Sequence, residues 1–179
     1  MSISGRPLPG EFADYAQADI DRVVGEDIVS ILAAQSSATE LLLGDIPDEF
    51  AGRYAYAQDK WTLKQIVGHL VDDERIFLYR ALCLARREPR PLPGFDENHY
   101  VDQAHFEERS FVDLLEELRV ARNATVTFFK GLSPQAWLHR GDVNGYTASV
   151  RGLAFHLAAH ELHHLSVIRQ RYLTGLPRH

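Results

Sequence analysis

The sequence predicts an all-α chain built on four long helices. Apolar residues recur at three- and four-residue spacing over four long stretches, and helix start and stop signals bracket those stretches. No segment shows the strict alternation of a half-buried strand.

The elements follow in order. Residues 1 to about 18, with Pro7, Pro9 and Gly10, read as an extended N-terminal arm. From Asp19 to about Leu43, Ile20, Val23, Val24, Ile28, Ile31 and Leu32, then Leu41 and Leu42, define a first amphipathic helix, stopped by Gly44-Asp45-Ile46-Pro47. Residues 45–60 read as a connector with one short turn at Asp48-Glu49-Phe50. Thr62 and Gln65 form a capping box for the second helix, with Trp61 placed as a staple, and Pro89 and Pro91 end it near Arg87. The connection from Glu88 to Arg109 is long and polar-aromatic, which in a compact domain marks a functional loop or a crossover. Ser110 and Asp113 start a third helix that stops at Gly131. A turn at 133–137 and a loop over 139–148 lead to the fourth helix, from Ser149 to about Leu173, ended by Gly175 and Pro177.

The length of 179 residues suits one domain, 1–179, large enough to bury a core. A net charge of −6 argues against a nucleic-acid surface, which needs clustered Lys and Arg. No apolar run is long enough for a membrane span, and the N-terminus lacks a signal-peptide pattern. A single cysteine, Cys83, excludes an internal disulfide and fits a reducing, cytoplasmic setting.

The fourth helix carries the chemistry. His156, His160, His163 and His164 fall within a sector of roughly 100° at helical geometry, shared with the apolar Leu153, Leu157 and Val167. Imidazoles on an inward face each need a partner, and a divalent ion satisfies several at once. His160-Glu161-Leu162-His163-His164 is also a literal H-E-x-x-H, the zincin motif, in which Glu161 would be the general base. A zincin takes a further ligand downstream, and only His179 follows. The better third ligand is His69 of the second helix, whose face also holds Ile66, Ile76 and Phe77. Asp73 would orient His69 or be a fourth ligand, Arg80 would balance Asp73 or hold an anionic substrate, and His156 becomes a supporting residue. His163 is ambiguous, donating to a carbonyl or carboxylate or facing a partner subunit. His99 and His105 read as solvated, His139 and His179 as surface residues, and Asp96, Asn98 and Tyr100 as substrate contacts reaching over the metal. Three histidines leave coordination positions open, which suggests catalysis through a bound water or thiolate. Cys83, inside an apolar helix, is not placed to be the nucleophile.

Two further patterns stand out. Thr62–Leu70 aligns with Ser149–Leu157, pairing His69 with His156, Asp73 with His160 and Glu74 with Glu161. This is either chance similarity between amphipathic helices or a duplicated helical hairpin. The fourth helix also carries a second apolar stripe, Ala154, Ala158, Leu162, Leu165 and Tyr172, which suggests a homodimer interface.

The segment Trp61–Leu70 with the downstream His156–His164 resembles the DinB-like (YfiT-like) metalloenzyme superfamily, distinct from the translesion polymerase that shares the DinB name. The resemblance spans about residues 20–173. It implies a four-helix bundle with long connecting loops, commonly dimeric, holding zinc or nickel on three histidines, here His69, His160 and His164. It also implies a small-molecule reaction: transfer of a low-molecular-weight thiol of the bacillithiol or mycothiol type, or a related isomerisation or hydrolysis. A non-enzymatic, stress-related module with a structural metal is the alternative.

Overall fold

Every long helix in the structure opens on a short polar side chain that satisfies an otherwise orphaned backbone N–H. The structure is a computed structural model that describes residues 5–175. The first four residues of the expected arm, and Pro177 and His179 beyond the last helix, lie outside the described residues. Helix α1 is a single turn, Gln17–Ile20, followed by α2, Ile28–Leu43, capped by Asp27. Short α3 covers Asp48–Arg53 and long α4 covers Leu63–Ala85. At the start of α4 the expected capping box forms. The Thr62 hydroxyl accepts from the Gln65 N–H at 3.3 Å, and the Gln65 side chain accepts from the Thr62 N–H at 2.9 Å. Helix α5 is Glu97–Ala104. Ser110 caps α6, Phe111–Lys130, and Ser149 caps α7, Val150–Val167, whose course continues as a π-turn over Ile168–Tyr172.

Three expectations are corrected. The first long helix does not run unbroken from Asp19. The Arg6 guanidinium takes the carbonyls of Ile20 and Val23, Gly25 adopts φ +102°, and Asp27 restarts the helix as a new cap. The loop over 139–148 is a β-hairpin, β1 Arg140–Val143 and β2 Tyr146–Ser149, turned at Asn144-Gly145 with φ of 53° and 79°. Two positive φ values in a two-residue Asn-Gly turn match the hairpin twist, so the sequence held the signal. The connection after α4 is also structured. Leu92 pairs with the hairpin through the Asp142 carbonyl and the Asn144 N–H, at 3.0 and 2.8 Å, and Asp96 caps α5.

The four long helices form a bundle in which α4 packs on α6 and α7, and α2 packs on the same two. Helices α2 and α4 are therefore diagonal, as are α6 and α7. Of the sequence neighbours among the long helices, α4 and α6 pack on each other, whereas the α2–α4 and α6–α7 connections each cross an end of the bundle to a diagonal position.

All four helices meet at one buried polar node. Arg122 of α6 forks onto Glu74 of α4, with Nε–Oε1 at 2.9 Å and Nη2–Oε2 at 2.8 Å, and reaches Glu161 of α7 at 2.8 Å. Helix α2 joins through the Thr39 hydroxyl, which donates to Glu161 at 2.5 Å, and the Leu32 carbonyl, which accepts from Arg122 at 3.3 Å. Burial alone would lower the guanidinium pKa, but the two carboxylates hold it above its ordinary value. The aligned pair Glu74 and Glu161 thus clamps one arginine from opposite sides. Apolar side chains pack to either side of this node, including Phe77, Phe129, Trp137 and Phe155 in one cluster and Leu63, Leu70, Phe111 and Leu114 in the other.

The stripe expected to face a second subunit is consumed within the chain. Ala154, Ala158, Leu165 and Tyr172 are buried, and the Gln35 amide of α2 donates to the Ala158 carbonyl at 3.0 Å. None of the helices among the described residues is long and apolar enough to cross a membrane.

Candidate metal centre

Adjacent helices α4 and α7 bring together the three histidines selected from the sequence. His69 projects from α4, while His160 and His164, one turn apart on α7, project toward it. The Nε2 atoms of His69 and His160 are 3.3 Å apart, those of His164 and His160 are 3.1 Å apart, and one ligand atom from each residue lies within 4.8 Å of the others. Nitrogens at the corners of a tetrahedral zinc site with Zn–N bonds of about 2.05 Å would stand about 3.3 Å apart.

Tautomers make the fit chemical as well as geometric. The Nδ1 of His160 donates to the Asp73 carboxylate at 2.8 Å, so the Nε2 of neutral His160 is a bare lone pair facing two other ring nitrogens. His69 and His164 are uncharged at neutral pH. Burial, aided by His160, pushes His69 down to about 4, and burial and the surrounding imidazoles push His164 down to about 2. In the tautomers that turn the Nε2 lone pairs of His69 and His164 inward as well, three neutral imidazole nitrogens converge, a donor set that suits a divalent ion.

Asp73 is corrected in detail. It orients His160, not His69, and stands behind the ring as a hydrogen-bond acceptor. Burial would raise its pKa, but the bond from His160 and the nearby imidazoles bring it below the ordinary carboxyl value. His156 packs flat between Phe77 at 4.4 Å and His160 at 5.8 Å, ring centroid to centroid, and burial pushes it down to about 4. Its ring stiffens the His160 orientation without reaching the triangle.

Arg80 makes no ion pair with Asp73. It is buried, donates to the Pro93 carbonyl at 2.8 Å and lies against the rings of Phe77 and Phe95. It does line a cleft of about 330 Å³ that opens over the histidines, together with Tyr15, Trp61, Phe95, Glu97 and Tyr146. His163 turns off the triangle, with Nδ1 3.6 Å from Asp19 and its side chain 43% exposed.

The zincin reading fails on geometry. Glu161, the would-be general base, points to the opposite side of α7 into the Arg122 node and is 2% exposed. Asp96 is spent as a helix cap, Asn98 borders a neighbouring cleft, and the Tyr100 ring lies tilted against Phe95 at 5.3 Å. Phe95 and Glu97 reach the cleft instead, because the cap at Asp96 sets the rotation of α5. His99 is exposed, as is His105, which ends α5 in the left-handed region with φ 51°. His139 is more than a surface residue, since its Nδ1 lies 3.1 Å from the Ala85 carbonyl at the end of α4. Sequence reasoning missed Trp61 as part of the site. Its indole lies 4.9 Å from the His69 ring and 6.5 Å from that of His164, and its place just before the α4 cap was the available signal.

The sequence profile of the DinB superfamily matches residues 31–168. The chain belongs to the DinB superfamily. Among solved structures, YfiT from Bacillus subtilis superposes with a TM-score of 0.74 at 16% identity, covering 95% of this chain and 94% of that one. YfiT is described as a probable metal-dependent hydrolase with an unusual four-helix bundle topology. At that identity the likeness establishes the shared fold. No curated protein sequence matches the chain.

Proposed function

We propose that this DinB-superfamily protein is a divalent-metal-dependent enzyme that holds zinc or nickel on His69, His160 and His164 and transfers a low-molecular-weight thiol of the bacillithiol or mycothiol type. The observation that carries the metal reading is the meeting of three Nε2 atoms at 3.1–3.3 Å spacing around His160, whose proton is held on the far side by Asp73. When bound, the ion lowers the pKa of a ligand on its open face.

The carboxylates around the site favour a thiol over water. Asp73 is engaged by His160 and Glu161 by Arg122, so among the described residues Glu97 at the cleft rim is the lining carboxylate left without such a partner. A thiol with an ordinary pKa of about 8.5 needs far less help to ionise than water at about 15.7. The Arg80 edge and the aromatic walls then hold the electrophile. As the sulfur–carbon bond forms, the bond to the leaving group breaks with its electron pair, and the thiol proton passes to solvent. Cys83 does not line the cleft, so the thiol is a cosubstrate. Hydrolysis is the second reading. Glu97 favours it as a base at the rim, as does the description of YfiT.

The decisive measurement compares thiol-dependent consumption of an aryl halide with thiol-independent ester or amide hydrolysis by metal-loaded protein. Hydrolysis without any thiol turnover would overturn the transfer reading. His160→Ala should abolish tight divalent-ion binding in calorimetry, and unchanged binding would overturn the metal reading. We also propose a homodimer in a reducing, cytoplasmic compartment. Exposed Leu41, Val112 and Val120 are apolar surface left on α2 and α6. A monomeric mass in light scattering at micromolar concentration would remove the dimer.

A further inference from the structure

His164 and Trp61 are walls of two clefts at once. On one side lies the aromatic cleft with Arg80 and Phe95. On the other lies a second cleft of about 240 Å³, bordered by Tyr56, Asp59, Lys60, Asn98 and His163. Consecutive residues of α5 divide them, Glu97 facing the first and Asn98 the second, so the helix capped by Asp96 forms a ridge across the metal centre. The two sides differ in chemistry. The first is built mainly of rings, with the Arg80 guanidinium and the Glu97 carboxylate among them. The second presents the Lys60 ammonium and the Asp59 carboxylate beside an amide, phenols and the His163 imidazole, and Lys60 pairs with no carboxylate among the described residues.

Building on the thiol-transfer reading, we propose that the second cleft is the cosubstrate subsite. It takes a polar thiol bearing a carboxylate, held by Lys60 and Asn98, while the aromatic cleft takes the electrophile. His164 borders both clefts, so a sulfur entering from the second reaches the same centre that the electrophile approaches from the first. Two substrates on opposite sides of one ridge need not compete for space, which direct transfer between two bound substrates requires.

The test uses cobalt-loaded full-length protein with glutathione as the thiol probe and 1-chloro-2,4-dinitrobenzene as the electrophile. Thiolate-to-cobalt charge-transfer absorption reports thiol binding independently of turnover. Lys60→Glu, at an exposed position, should weaken glutathione binding at least fivefold and leave the KM of the electrophile within twofold. Phe95→Ala should do the reverse. Equal effects of either variant on both ligands, or no effect of Lys60→Glu, would overturn the two-sided arrangement while leaving thiol transfer standing. Absence of any glutathione charge-transfer band would overturn both the subsite and the thiol reading, and leave the hydrolytic one.

Discussion

At the scale of single residues, the site depends on which nitrogen carries the proton. Asp73 fixes that for His160, so Asp73→Asn should keep the fold yet weaken metal binding about 10- to 100-fold in a chelator competition. Glu161→Gln makes the opposite case. The zincin motif would make it lethal to activity, whereas its place in the Arg122 node predicts a less stable protein with unchanged metal affinity. The buried imidazoles also set a pH dependence for the metal-free protein. Folded-state values of about 4 for His69 and His156 lie below the ordinary 6.5. The unfolded chain therefore binds more protons between those limits, and stability must fall as pH drops from 6.5 toward 4. Urea midpoints that stay flat across that window would contradict the burial of these rings. The histidine spacing was legible in the sequence because i and i+4 on a helix fix direction. The target of Asp73 was not, because that depends on how α4 and α7 are rotated against each other.

At the scale of elements, the caps were the most readable features. Thr62, Ser110 and Ser149 act where short polar side chains before apolar runs should. The hairpin was harder, since β1 and β2 are four residues each and their burial comes from packing, with Val143 and Ala148 fully covered. The start of α7 shows how closely elements are fitted. The Glu11 carbonyl accepts from the Ser149 N–H at 2.9 Å, and the Glu11 carboxylate binds Arg151 at 2.5 and 2.8 Å, so the N-terminal segment lies directly on α7. A Cβ built on Gly152 would run into that Glu11 carbonyl oxygen. Gly152→Ala should therefore lower the thermal midpoint by several degrees, although alanine is the better helix former in isolation. A midpoint at or above wild type would show that the segment gives way.

At the scale of the whole molecule, the Arg122 node and the metal centre are separate anchors. Arg122→Met leaves two buried carboxylates without their cation and should cost about 3–5 kcal/mol in chemical denaturation. Metal removal should leave the far-ultraviolet circular dichroism unchanged, because the helices are joined by that node and by two apolar clusters. Unfolding on chelation would instead assign the ion a purely structural role. Helix number and approximate boundaries could be read from periodicity, but the pairing of helices could not, because the apolar faces do not say which face meets which.

The diagonal placement of α2 and α4 bears on how the chain comes into being. As the protein leaves a ribosome, α2 and α4 emerge first and have little surface to offer each other. Both wait for α6, and α7 with its histidines closes the assembly last. Until α7 arrives the chain lacks the helix that carries His160, His164 and Glu161 and that covers the remaining faces of α2 and α4, so a truncated product lacking α7 should be open to proteases.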